Sequence, residues 1–397
     1  RVDTMSWTAK DICSAVADLA DDWRAQRTDR QLRRHLDPAD FAALRACGLP
    51  LMAVPVGLGG TWVDVATSTR RVAQALRALA GGDPSVALVS AMHPAVLAYW
   101  LASPDPTEPV WQAQRSAVFA AAAEGRQWGT ITSEPGSGGD IAKTKAVAIP
   151  DPDLFPFLEG APHRVSGAKH FGSGSGIADR MMTTAVVEGE DKPTIFVLDT
   201  SAGPGTVHYE MVGEWDGMGM RATQSHALHL RDAPAVRLAT TRPLEEITGA
   251  AMPPVESWFV AVVLGVLDEA VATARAQLRD RADTLRPYEQ VEWTTAEQHH
   301  WLAVQAHEGA LRAIESGDPA AAAPAALRAK QSVAELAEAT LVRLSRVLGG
   351  GTFSQRSPFS HWLEDVRALG FLRPPWALAH DLLFLTSLED PPGLDRT

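Results

Sequence analysis

The sequence predicts an α+β protein: a helical N-terminal domain (1–125), a central antiparallel β domain (126–242) and a C-terminal helical domain (243–397). Three observations predict it. Apolar residues recur every three or four positions in the first and last zones, the spacing of amphipathic helices. The middle zone breaks into short Thr-, Val- and Ile-rich runs between Gly/Pro/Asp clusters, as antiparallel strands do. Helices and strands do not alternate, which removes the βαβ arrangement and with it the Rossmann scaffold. From the residues alone, the β zone reads as a small barrel or a sandwich.

In the first zone, Ile12, Val16, Leu19 and Trp23 line one helix face. Asp37 is placed to cap the next helix, with Pro38 at its first position, where a missing N–H costs nothing. Residues 55–60 read as a loop, and 67–79 and 85–101 as long buried helices. Strand-like runs follow at 143–149, 163–166, 180–187, 194–199, 205–211 and 225–230. The run 255–281 is apolar on more than one face, so its helix lies deep in the core or between subunits. Helices over 296–316 and 321–348 complete the chain. The second is expected to break near Pro324 and to stop at Gly349-Gly350-Gly351.

The 397-residue chain is 46% hydrophobic and 21% charged, ordinary for a globular protein, with a net charge of −12. That sign suits neither nucleic acid nor an anionic membrane, and an anionic substrate would need a local basic patch. Cys13 and Cys47 sit in helical surroundings without metal spacing or a disulfide framework, so no metal is expected and a reducing cytoplasm fits. The polar start shows no secretory pattern, and apolar runs such as 258–267 are too short to span a bilayer. A cytoplasmic protein is expected.

Three loops carry the chemistry. Residues 128–140 read Trp-Gly-Thr-Ile-Thr-Ser-Glu-Pro-Gly-Ser-Gly-Gly-Asp, and 167–175 read Gly-Ala-Lys-His-Phe-Gly-Ser-Gly-Ser. Residues 215–223 read Trp-Asp-Gly-Met-Gly-Met-Arg-Ala-Thr. Glycines let the backbone approach a ligand closely, and the hydroxyls and free N–H groups can donate to a planar, acceptor-rich ring.

In their order and spacing these loops resemble those of the acyl-CoA dehydrogenase superfamily of flavoproteins, and the resemblance runs from Gly57-Leu58-Gly59-Gly60 to the final helix. It implies a central β-barrel between the helical domains, a homodimer or homotetramer, and bound FAD, or FMN if the protein is a two-component monooxygenase. The segment holding Trp128, Thr130, Thr132 and Ser133 would then line the flavin, with Glu134-Pro135 fixing the turn. Phe171 would pack on the ring and Ser173 would hydrogen-bond near N5. Arg221 would be structural more than substrate-binding. Arg281 or Arg286 would hold the pyrophosphate, and Gly349 and Gly350 would approach the adenosine half of a partner's flavin.

The same resemblance places a catalytic Glu after the helix start Glu364-Asp365-Val366-Arg367. Here the turn carries Arg373, which cannot act as a base. Glu256 is either a relocated base or an acidic residue favoured in a helix's first turn. His93 is either a proton donor at the pocket or a satisfied core residue. Strand alternation puts His170 on the face opposite Phe171. Gly139 replaces the Ser that usually touches pantetheine.

Two enzymatic functions follow from this, beside a third, non-enzymatic reading as a flavoprotein-fold scaffold that has lost catalysis. The first is α,β-dehydrogenation of an acyl-CoA or related thioester, with an electron-transfer partner. The second is a DszC-like monooxygenase that takes reduced flavin from a reductase and oxygenates a small apolar substrate. The missing Glu and the Phe171-Gly172-Ser173 variant favour the second. The absence of a His cluster around Leu372-Arg373-Pro374-Pro375 counts against it.

Overall fold

The computed structural model describes residues 7–102 and 108–388. The first helical zone contains α1 (Ala9–Ala25), α2 (Arg27–Arg30), α3 (Pro38–Ala46), α4 (Val65–Gly82), α5 (Pro84–Leu101) and α6 (Pro109–Ala123). Asp37 caps α3 by accepting from Ala39 N at 2.9 Å, with Pro38 in the first turn. Asp83 ends α4 and caps α5, accepting from Val86 N at 3.0 Å. Every residue of α5 from 85 to 101 is buried, so this helix forms the floor of the molecule's interior.

The β domain contains β1 (Trp128–Thr130), β2 (Val147–Pro150), β3 (Pro162–Gly172), β4 (Arg180–Val187), β5 (Pro193–Asp199), β6 (Tyr209–Gly213) and β7 (His226–Arg237). Pairings β4–β2–β3–β7–β5–β4 close a barrel, and β6 adds to β7. The expected antiparallel order is incomplete, because β1 and β2 both run parallel to β4. They lie in line on one edge of β4: Trp128–Thr130 face Arg180–Met182, and Val147–Ala148 face Val186–Val187. The chain leaves that edge after Thr130 and rejoins it at Val147. Between these points it makes a long excursion over 131–146.

The last zone contains α7 (Leu244–Arg279), α8 (Pro287–Glu315), α9 (Pro319–Leu348), α10 (Pro358–Val366), α11 (Ala368–Phe371) and α12 (Trp376–Ser387). Helix α7 starts eleven residues before the expected Val255 and passes through Pro253 and Pro254 without ending. Likewise α9 runs past Pro324 unbroken. Each interior proline costs about 3 kcal/mol of helix propensity. Buried packing on α7, including both prolines themselves, outweighs that. The lengths of α5 and α7 would allow them to cross a membrane, which the short apolar runs did not suggest, but 89% of the apolar 18-residue stretch of each is buried within the protein, as in a core helix.

Helices of the first and last zones share one apolar core, in which α7 packs on α4 and α5, while the barrel encloses a second. At the α4–α7 crossing, a Cβ on Gly265 would collide with the carbonyl of Arg77. Only glycine allows the two backbones to approach so closely.

Candidate active site

The excursion over 131–146 is held by one side chain. Glu134 reaches back to the loop's far end, accepting from Lys145 N at 2.6 Å and Ala146 N at 3.3 Å, and from the Thr144 hydroxyl. From β3, Lys169 donates to Glu134 Oε1 at 2.6 Å and to the Thr184 carbonyl at 2.7 Å. Burial alone would raise the Glu134 pKa, but the hydrogen bonds from Lys169, Thr144 and Lys145 hold it below the usual carboxylate range. The loop's stem is thereby clasped shut while its tip stays open.

That tip borders a cavity of about 670 Å³, within the ~300–1,000 Å³ range of cofactor and ligand sites. Apolar side chains from α5 (Met92, Val96) and α7 (Val255, Phe259) form one wall, with Leu372 from the turn after α11. The opposite wall carries Thr130, Thr132, Ser133, Phe171 and Ser173. The structure therefore brings these five predicted residues to one surface. The Phe171 ring is 61% exposed and stands edge-on to Trp215, with centroids 6.3 Å apart. A large apolar ring left uncovered inside a cavity is a surface prepared for a planar ligand. Phe171 also holds φ 56°, left-handed for a non-glycine residue.

His170 lines the cavity beside Phe171, contrary to the strand-alternation argument. The reason is a register shift between Lys169 and Gly172 in the β3–β7 pairing, which breaks the alternation of faces.

The other predicted residues lie elsewhere. Trp128 is in the core, edge-on to Trp100 at 6.0 Å, and does not reach the cavity. His93 is on the far side of α5, where its Nδ1 accepts from Trp128 N at 3.3 Å and burial holds its pKa down at about 4. A neutral ring that supports β1 is what this geometry provides. Glu256 is neither in a first turn nor on the cavity wall, because α7 begins so far upstream. Burial pushes its pKa up to about 8, against the attraction of Lys330 on α9. Lys330 donates to the Pro374 carbonyl at 2.8 Å. Arg281 donates to the Val347 carbonyl at 2.7 Å, which sets it beside Gly349 and Gly350 away from the cavity. A Cβ on either glycine would meet open space. Arg221 borders a small void with Asp83 and Asp365, beneath the loop it belongs to.

Sequence reasoning missed several lining groups. Ser225 and Thr223 extend the predicted Ser173 into a hydroxyl chain, 2.9 Å and 2.7 Å apart. Thr184 also lines the cavity, and its buried Oγ1 has no hydrogen-bond partner among the described residues. Tyr99 also lines the cavity, and burial raises its pKa against the pull of Arg373 and Thr248. Period-2 alternation on β4 offered a signal for Thr184, whereas Tyr99 on an all-apolar helix gave none.

No family model matches the sequence, and no curated protein matches it. Solved structures do match. FMN-bound TdsC from Paenibacillus sp. A11-2 superposes with a TM-score of 0.78 at 19% identity, over 95% of this chain and 97% of its own. The chain has the acyl-CoA dehydrogenase fold. Nitrososynthase from Micromonospora carbonacea var. africana gives a TM-score of 0.78 at 20% identity, covering 96% of this chain and 97% of that one. An electron transferring flavoprotein structure from Acidaminococcus fermentans gives 0.81 at 16%, covering 96% and 98%. At such identities the likeness establishes the acyl-CoA dehydrogenase fold, and the chemistry has to be read from the cavity itself.

Proposed function

We propose that this chain is a flavin-dependent monooxygenase that receives reduced flavin from a separate reductase. The observation that carries this reading is the absence of a free carboxylate among the described residues lining the cavity. Glu134 is tied to Lys169 at 2.6 Å, and Glu364 to Arg367 at 2.7 Å. Where the family resemblance calls for the α-proton base, Arg373 stands instead. A guanidinium takes no proton at neutral pH. Glu256 lies outside the wall near Lys330, and burial raises its pKa to about 8. Dehydrogenation of a thioester therefore lacks its base.

The wall fits a flavin. Thr132 and Ser133 offer hydroxyl and backbone groups to a ring edge, and Ser173 and Thr184 offer hydroxyls deeper in. Phe171 supplies an uncovered aromatic face. In the reduced form a flavin supplies two electrons, so that one oxygen atom of O2 enters the substrate and the other leaves as water. Around it, the apolar side chains of α5 and α7 exclude solvent and hold an apolar substrate body. Structures of the same fold support this direction, since TdsC is described as a dibenzothiophene monooxygenase and has been seen with FMN and indole. In a homodimer or homotetramer, Arg281, Gly349 and Gly350 form the surface that would approach a second copy's flavin.

The test is an assay with FMN or FAD, NADH, a flavin reductase and 18O-labelled O2 against a panel of aromatic heterocycles. Label in the product, dependent on the reductase, supports the reading. Desaturation of an acyl-CoA without O2, abolished in Glu256→Gln, would replace it with the dehydrogenase.

A further inference from the structure

Resting on the monooxygenase reading, we infer that the substrate carries an acidic group, a carboxylate or similar oxyanion, which pairs with Arg373. The guanidinium lines the cavity and has one hydrogen-bond partner among the described residues, the Thr132 hydroxyl at 2.8 Å from Nη2. A guanidinium has five N–H donors in a fork that matches two coplanar oxygens. No carboxylate among the described residues lies within ion-pair distance of it. Asp140 is the nearest acid acting on it, and that carboxylate is engaged elsewhere, accepting from Ala142 N at 3.0 Å and sitting 3.6 Å from Lys143 Nζ.

Arg367 lines the same cavity and is matched by Glu364 at 2.7 Å. Arg373 is the cavity's unmatched charge. The Arg373 guanidinium opens onto the cavity with no carboxylate bound to it among the described residues, which leaves its remaining N–H donors available to a ligand. Tyr99 lines the same cavity and its phenol feels the Arg373 charge. The rest of the wall is apolar on the α5 and α7 side. The occupant that fits is an apolar body, aromatic or alkyl, ending in an oxyanion.

The experiment uses matched pairs that differ only in charge: benzoate and benzamide, cinnamate and cinnamamide, indole-3-acetate and indole-3-acetamide. Dissociation constants are measured by calorimetry on the FMN-loaded protein, on the flavin-free protein, and on Arg373→Gln and Arg373→Lys. At least one acid should bind about tenfold or more tightly than its amide in the wild type. That preference should vanish in Arg373→Gln and be reduced in Arg373→Lys, with FMN affinity unchanged in both. Arg373→Lys carries the comparison if Arg373→Gln does not fold. Equal binding of acids and amides, a preference that survives in Arg373→Gln, or no binding by any acid overturns the inference. Loss of FMN affinity in both variants also overturns it, because Arg373 would then serve the flavin. Failure of wild-type protein to bind FMN or FAD at all strikes the flavin reading instead, and the flavin-free titrations still report on Arg373.

Discussion

Replacing Lys169 by Met should unfasten the loop that borders the cavity, and its cost can be worked from the structure. Lys169 is fully buried and Glu134 nearly so, with side-chain exposures of 0% and 4%. Removing the ammonium leaves a carboxylate inside the barrel wall without its counter-charge. Breaking such a pair costs about 3–5 kcal/mol. Glu134 keeps its bonds from Thr144, Lys145 and Ala146, so the lower end of that range is expected. The assay is guanidinium unfolding at pH 7 followed by far-UV circular dichroism, read as a midpoint shift at unchanged slope. The double variant Lys169→Met/Glu134→Gln should recover at least half of the loss, because the stranded charge is gone. The sign with pH follows. Glu134 lies below its ordinary value in the wild type, so its contribution is present above about 4.5 and is lost as pH falls through the folded value. The deficit of Lys169→Met should therefore shrink toward pH 4. A loss under about 1 kcal/mol at pH 7, or no recovery in the double variant, would refute the clasp.

Two further outcomes are expected. Glu256 is raised from 4.5 to about 8, so the folded state holds a proton there that the unfolded chain has released, and stability drains away as pH rises between those values. Lys330, lowered from 10.5 to about 8, acts only above that window. Unfolding midpoints of Glu256→Gln should thus gain on wild type from pH 5 to pH 8, and a constant difference would refute the burial of this carboxyl. Gly265→Ala forces a methyl into the Arg77 carbonyl where α4 crosses α7, and should cost about 1–3 kcal/mol in the same unfolding assay. A neutral effect would mean that the two helices are not in backbone contact.

Much of the architecture was legible because periodicity is local. Asp37 and Pro38 announced α3, and the Thr- and Val-rich runs announced β4 and β5 within a residue. What failed was long-range. The parallel pairing of β1 and β2 with β4 depends on a loop that leaves and returns, which no strand pattern encodes. Pro253, Pro254 and Pro324 looked like helix ends because propensity is visible in sequence and buried packing is not. At the site, the glycine- and hydroxyl-rich loops did mark the wall that holds Thr132, Ser133, Phe171 and Ser173. Residue type suggests a base in Glu256 and a proton donor in His93, but neither lines the cavity, because helix rotation is set by tertiary packing. Arg373 was noticed as a departure from a pattern. Only the structure shows that it is unmatched.

The most direct measurement is an anaerobic titration of the flavin-loaded protein with short, long and branched acyl-CoAs, following the visible flavin band. No member of the panel should bleach it, because the cavity offers no base to take the α-proton. The same flavin, reduced by a reductase and given O2, should then return to its oxidised spectrum. Bleaching by any acyl-CoA would contradict the account and return the protein to thioester dehydrogenation.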